Sequence, residues 1–219
     1  HGGTMQGPAL ANLIMGKVAP SGRLPMTFPM GVGQIPFYYN YKTPSRLMAK
    51  SPKLINDIPI RAYQFSVGES SYWLEYGNKP QYPFGYGLTY TTFAYGPVVL
   101  SDTCMNASSP DHLVASCEIT NTGDRDAVAV PQLYIRDVVG SMTRPIRELK
   151  GFQRVAVPAG EKRTVSFTIT EQDLAYWHLA EGVGLGENGP YAFSAEKGDF
   201  QLWIAPSAAE GAYAEFTLK

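Results

Sequence analysis

Side chains that move protons or attack a carbon work in pairs, and the opening third of this sequence is poor in them: residues 1–56 contain neither Asp nor Glu. The first acids, Asp57, Glu69 and Glu75, fall in an aperiodic stretch. The remaining acids lie on turns and on the polar faces of strand-like runs, where solvated carboxylates are the rule. General acid–base work needs two such groups within hydrogen-bond reach of one substrate, and no spacing here suggests that pair. His1, His112 and His178 are far apart in sequence, without the close spacing a metal site uses, so no metal is expected. The glycines of residues 184–189 (GLGENG) match a dinucleotide fingerprint, but Pro190 follows and no strand–helix–strand unit surrounds them, so they read as a loop. Asn106-Ala107-Ser108 is a formal glycosylation acceptor of a kind that arises often by chance. No organic cofactor is called for.

The elements that would position any chemistry fall into two kinds. Near the start, Pro8 suits an early helical position, Leu10, Leu13 and Ile14 recur at helix spacing, and Gly16 suits the residue after a helix end, which predicts a short helix over 8–15. Pro20-Ser21-Gly22 then makes a turn, and residues 24–28 read as a brief extended piece closed by Pro29. One helix and one strand cannot bury an apolar stripe by themselves, so residues 1–40 are expected to dock on a sheet supplied from elsewhere. Residues 41–94 read as an aromatic-rich connector.

From residue 95 onward the period changes to two. Leu113, Ala115, Cys117 and Ile119 share one face, as do Leu133 with Ile135, then Val165, Phe167 and Ile169, and finally Phe200, Leu202 and Ile204. Turn chemistry separates these runs at residues 121–124 (NTGD) and 158–161 (PAGE). About seven such strands predict an immunoglobulin- or fibronectin type III-like sandwich over residues 95–219. The fold class is therefore mainly β: a sandwich preceded by a long connector and by a terminal α/β piece that needs a larger domain to dock on. Cys104 and Cys117 stand 13 residues apart across an expected hairpin, where a bridge and two free thiols both remain open.

Bulk properties exclude several partners. With 18 basic against 19 acidic residues in 219, there is no cationic surface for nucleic acid, and 44% hydrophobic residues suffice for a packed core. No run of 18 apolar residues and no signal-peptide pattern occur, so no membrane partner is expected. The chain opens on His1-Gly2-Gly3 in place of a methionine, as a piece of a longer protein would.

Four phrases carry a resemblance. Residues 2–16 (GGTMQGPALANLIMG), 20–29 (PSGRLPMTFP), 33–40 (GQIPFYYN) and 82–93 (YPFGYGLTYTTF) resemble, in order, the end of the second domain of glycoside hydrolase family 3 and the passage into its third. Residues 130–137, Arg144-Pro145, residues 149–152 (LKGF) and residues 158–161 are similar to that family's fibronectin type III-like domain. The resemblance, nearest to the periplasmic or secreted β-glucosidase branch, implies a retaining exo-acting enzyme whose nucleophilic Asp and acid/base Glu both precede His1. Its substrates would be small oligosaccharides or glucosides. A β-xylosidase or α-arabinofuranosidase of the same family is the alternative within that class.

On this reading the chain holds no catalytic residue and is inactive alone. It serves as scaffold for the upstream barrel and the rest of the α/β domain, with homodimerisation as a further possibility. The loop entering the first helix would sit at the carboxyl edge of a sheet, where open α/β folds place ligands, which makes His1, Thr4, Met5 and Gln6 candidate rim residues of a sugar pocket. The aromatics crowding residues 38–86 suit packing between parts, and also stacking on a sugar. A reading from another class makes the sandwich a non-catalytic carbohydrate-binding module; an exposed strip of aromatics within residues 95–219 would favour it.

Overall fold

The computed structural model describes residues 2–43, 47–48, 51–63, 70–107, 112–180 and 189–219. His1, Arg46, Lys50, Glu69, Ser108 and residues 184–188 of the glycine-rich run lie outside the described residues.

The first element is α1 (Gln6–Ile14). Its end is a Schellman motif: Gly16 takes φ +67°, its N–H reaches the Leu13 carbonyl at 3.0 Å, and Lys17 N–H reaches the Asn12 carbonyl at 2.9 Å. None of its residues is buried. The brief extended piece expected over residues 24–28 forms no strand: it meets residues 82–86 through backbone bonds and one isolated antiparallel bridge, Phe28 with Tyr82. Leu24 N–H donates to the Tyr86 carbonyl at 2.8 Å, Gly85 N–H to the Leu24 carbonyl at 2.8 Å, and Phe28 N–H to the Tyr82 carbonyl at 2.8 Å. Two phrases singled out separately in the sequence therefore form one piece of structure. The stretch between them is more than a draped loop: the short strands β1 (Leu47–Met48) and β2 (Ser70–Ser71) pair in parallel, and fully buried Gln34 ties Met30 N–H (2.6 Å) to the Lys79 carbonyl (3.2 Å).

The sandwich follows. One sheet joins β3 (Phe93–Tyr95), β4 (Val99–Leu100), β6 (Leu113–Asn121) and β11 (Lys162–Ile169), with β6 central and β11 antiparallel to it. The facing sheet runs in the order β5 (Cys104–Met105), β15 (Ala214–Leu218), β14 (Gly198–Ala205), β8 (Gln132–Asp137) and β9 (Glu148–Phe152). Two ribbons complete it: β7 (Ala127–Ala129) with β10 (Val155–Val157), and β12 (Tyr176–Leu179) with β13 (Tyr191–Ser194), the latter pair preceded by the one-turn helix α2 (Glu171–Leu174).

The alternating residues read from the sequence are the core. Leu113, Ala115, Cys117 and Ile119 meet Val165, Phe167 and Ile169 from one sheet and Leu133, Ile135, Phe200, Leu202 and Ile204 from the other in a single buried cluster. Phe200 and Phe216 stack at its centre with ring centroids 5.3 Å apart. The two turns fall where expected. Gly160 supplies the positive φ (+73°) that the reversal at residues 158–161 requires, closed by Glu161 N–H to the Pro158 carbonyl at 3.1 Å. At residues 121–124, buried Asn121 satisfies all its bonds: Oδ1 accepts from Thr91 (2.6 Å) and Gly123 N–H (3.2 Å), while Nδ2 donates to the Arg125 (2.7 Å) and Val157 (2.9 Å) carbonyls.

The cysteine expectation needs correction. Cys104 and Cys117 do not face each other across a hairpin, because β5 pairs with the last strand, β15, while β6 belongs to the opposite sheet. Both thiols are free, and Cys117 donates to the Gly96 carbonyl at 3.3 Å. No helix among the described residues is long and apolar enough to cross a membrane.

Candidate functional site

Three of the four rim residues can be placed. Thr4, Met5 and Gln6 are all exposed where the chain enters α1. Gln6 folds back so that its Oε1 accepts from Gly2 N–H at 3.1 Å while its own N–H donates to the Gly3 carbonyl at 3.1 Å. This clamp explains the paired glycines: a Cβ on Gly2 would lie 2.9 Å from the Gln6 side chain, and Gly3 takes φ +65°. The loop is thus held as a compact hook with Met5, 69% exposed, at its outer edge.

Around this hook, many of the large apolar side chains of residues 5–38 are exposed. Ile14, Met15 and Val32 are at least 70% exposed, and Leu10, Val18, Met26, Met30, Ile35 and Tyr38 are also exposed. So many exposed large apolar side chains in one segment are more than a chain that closes its own core leaves in water.

The other side of the segment is fixed to the sandwich by a polar and aromatic joint. Gln132, 3% exposed, donates from Nε2 to the Gly85 (3.0 Å) and Pro206 (2.6 Å) carbonyls and accepts from the Tyr134 hydroxyl at 2.6 Å. Gly85 has φ +78°, and a Cβ there would stand 2.0 Å from the Gln132 amide oxygen, so only glycine fits. Phe84 stacks on Tyr39 at 4.1 Å, and the Tyr39 hydroxyl accepts from Leu149 N–H at 3.2 Å. Burial pushes the Tyr134 hydroxyl well above the ordinary phenol range. The aromatics of residues 38–86 therefore divide: Tyr39 and Phe84 pack the joint, whereas Tyr38 and Tyr63 stay exposed at 64% and 93%. Nothing local in the sequence marked Gln132 or Gln34 as buried; the only signal was Gly85 lodged among rings.

Several carboxylates are engaged locally. Asp57 Oδ2 accepts from Leu54 N–H at 3.2 Å and Glu75 is exposed. The buried acid, Asp137, faces Arg144 Nε at 3.7 Å, a distance too long for a hydrogen bond. Burial raises its pKa, an effect Arg144 only partly offsets and nearby Glu196 reinforces. Glu196 accepts from Ser141 N–H (2.8 Å) and from the Tyr176 hydroxyl, and lies 3.4 Å from His178 Nδ1. Burial alone would raise its pKa, but the hydrogen bonds from Ser141 and Tyr176, with His178 beside them, hold it low. The cleft of about 290 Å³ along the joint, lined by Ser21, Leu24, Phe84, Val130, Leu149 and Arg154 among others, contains no acid. At the joint the arrangement holds the opening segment to the sandwich through Gln132, Gly85, Tyr39 and Phe84.

Residues 1–90 match the glycosyl hydrolase family 3 C-terminal domain, and residues 129–208 match the fibronectin type III-like domain. The chain is 37% identical over 216 residues to a periplasmic β-glucosidase of Salmonella typhimurium and 37% identical over 174 residues to a β-xylosidase of Formosa agariphila. These alignments cover 99% and 80% of this chain but 25% and 21% of the relatives, so the chain spans about a quarter of their length. A solved β-glucosidase from Erythrobacter marinus superposes with a TM-score of 0.74 at 34% identity, covering 97% of this chain and 24% of that one. A β-glucosidase from Listeria innocua in complex with glucose gives 0.73 at 30% identity, covering 97% and 26%. The chain belongs to glycosyl hydrolase family 3, of which it carries the C-terminal domain sequence and the fibronectin type III-like sandwich.

Proposed function

We propose that this chain is the scaffold portion of a retaining, exo-acting β-glucosidase that releases terminal β-D-glucosyl residues from oligosaccharides or glucosides. The observation that carries the reading is the pairing of an acid-free opening segment with an uncovered apolar surface. A surface of that kind favours a covering layer, and in this reading the two carboxylates that retaining hydrolysis uses come from residues upstream of His1. Residues 1–40 then complete an α/β domain, residues 41–94 connect, and residues 95–219 brace the assembly from behind. The hydrolysis passes through a covalent glycosyl-enzyme formed on a carboxylate outside this chain.

The hook at Thr4, Met5 and Gln6, with His1, borders the sugar pocket in this reading. Its exposure and its rigid clamp support the role: a rim must present side chains without shifting when substrate enters. By the name of its Salmonella relative, the complete protein works in the periplasm or outside the cell. A β-xylosidase is the second reading, favoured by the Formosa relative. Assaying the complete protein against aryl β-D-glucoside, β-D-xyloside and α-L-arabinofuranoside separates them; the glucoside should give the highest kcat/KM. Changing Gln6 to Ala in the complete enzyme should raise KM, and unaltered kinetics would remove the rim assignment.

A further inference from the structure

The ribbon β12–β13 is turned inside out relative to the rest of the sandwich. In β6 and β11 the apolar side chains point inward and the polar ones outward. In the ribbon the inward pairs are Tyr176 with Ser194 and His178 with Ala192, and Tyr176 and His178 are buried. The outward pairs are Trp177 with Phe193 and Leu179 with Tyr191, and the three rings are 67%, 50% and 66% exposed in the order Trp177, Phe193, Tyr191. A buried polar face and an exposed aromatic one are each unusual, and here they are the two sides of one element.

The inner face explains how such a ribbon holds its place. His178 Nε2 and Ser194 Oγ are 2.9 Å apart, the Tyr176 hydroxyl donates to Glu196, and the Arg144 guanidinium lies 4.0 Å above the Tyr176 ring. An isolated two-stranded hairpin is marginal in water, so this network does the work an apolar face does elsewhere. It leaves Trp177 and Phe193, with centroids 5.3 Å apart, presented outward from an anchored backbone.

We propose that this outer face is a binding platform for a neutral carbohydrate chain, whose pyranose rings lie against Trp177, Phe193 and Tyr191. Three observations select that occupant. None of the four outward residues is charged, so the face has no means of recognising an ionic ligand and matches an uncharged one. Four residues per strand give a ribbon about 13 Å long and two strands about 5 Å apart, an area far below the roughly 800 Å² per side of a stable protein interface but wide enough for a few sugar rings. The rings also supply both parts of sugar recognition: flat apolar faces for the C–H side of a pyranose, and Trp and Tyr polar tips for its hydroxyls.

The choice of a β-glucan as ligand rests on the hydrolase reading above, and the test keeps the two apart. The complete protein is run by native electrophoresis through gels containing laminarin or xylan, beside Trp177→Ala/Phe193→Ala and Trp177→Phe variants. Turnover of an aryl glucoside is measured in parallel, reporting on the hydrolase reading alone. Retardation of the parent by laminarin, with binding about tenfold weaker in the double variant and intermediate in Trp177→Phe, is the expected result. The aryl glucoside kinetics and melting temperature of the variants should match the parent. Equal retardation of parent and double variant, or no retardation of the parent in either gel, would overturn the platform. So would a change from dimer to monomer in the double variant with retardation unchanged.

Discussion

The sandwich and the opening segment use similar apolar side chains in opposite ways. In the sandwich, Leu113, Ile119, Ile169, Phe200 and Leu202 are all at most 1% exposed, whereas in residues 5–38 Met5, Ile14, Met15 and Val32 are all at least 69% exposed. The difference lies in the number of layers. Two sheets close over each other and seal a core, but one short helix and one extended pairing have nothing to close against. Apolar content alone thus does not say whether a segment is self-sufficient; the layer count does. The joint at Gly85 and Gln132 holds the incomplete part to the complete one.

The comparison can be broken at several depths. Phe200→Ala, at the sealed centre, should cost about 3–5 kcal/mol in urea unfolding of this chain; a cost under about 1 kcal/mol would mean that the core is not closed. Gly85→Ala comes next, at about 3 kcal/mol, combining a strained positive φ with displacement of a buried amide. Near-UV circular dichroism should show Tyr39 and Phe84 losing their fixed environment. A Gly85→Ala chain as stable as its parent would dissolve the joint.

Smaller effects come from the polar network behind the ribbon. Because the Asp137 pKa is raised on folding, its contribution to stability is present below its unfolded pKa and is lost as pH rises through the folded value. The lowered pKa of Glu196 works the other way: its contribution is present above its unfolded pKa and is lost as pH falls through the folded value. The parent should therefore lose melting temperature relative to Asp137→Asn as pH rises out of the carboxylate range, and lose it relative to Glu196→Gln as pH falls through that range. Slopes of the same sign for both variants would show that the two acids do not differ as described. The smallest effect is expected for Leu10→Ser/Ile14→Ser, within about 0.5 kcal/mol in this chain, since neither side chain is buried. In the complete protein the same pair should cost several-fold more, and a matching small cost there would leave the apolar surface without a covering layer.

How much of this was legible follows from the range of the forces involved. Alternation at residues 113–119 and 165–169 is a local pattern, and it named the core correctly. Gly16 ended its helix for a local reason too. The pairing of residues 24–28 with 82–86 was not readable, because strand partners far apart in sequence leave no mark at either site. The same holds for Cys104, whose neighbour is the last strand and not the next. The ribbon was missed because alternation gives two faces without saying which turns inward, and at Trp177 the usual rule is reversed by Glu196, Ser141 and Arg144. Of the candidate rim residues, Thr4, Met5 and Gln6 lie on one exposed hook, but the Gln6 clamp on Gly2 needed coordinates.

In the proposed reading this chain braces a glycosidase without performing its chemistry. Aryl β-glucoside turnover by the 219-residue chain alone, beside the complete protein at equal molarity, tests it most directly. The complete protein should hydrolyse the glucoside and the chain alone should release nothing above the uncatalysed rate. Turnover by the isolated chain, retained through repurification, would contradict the claim.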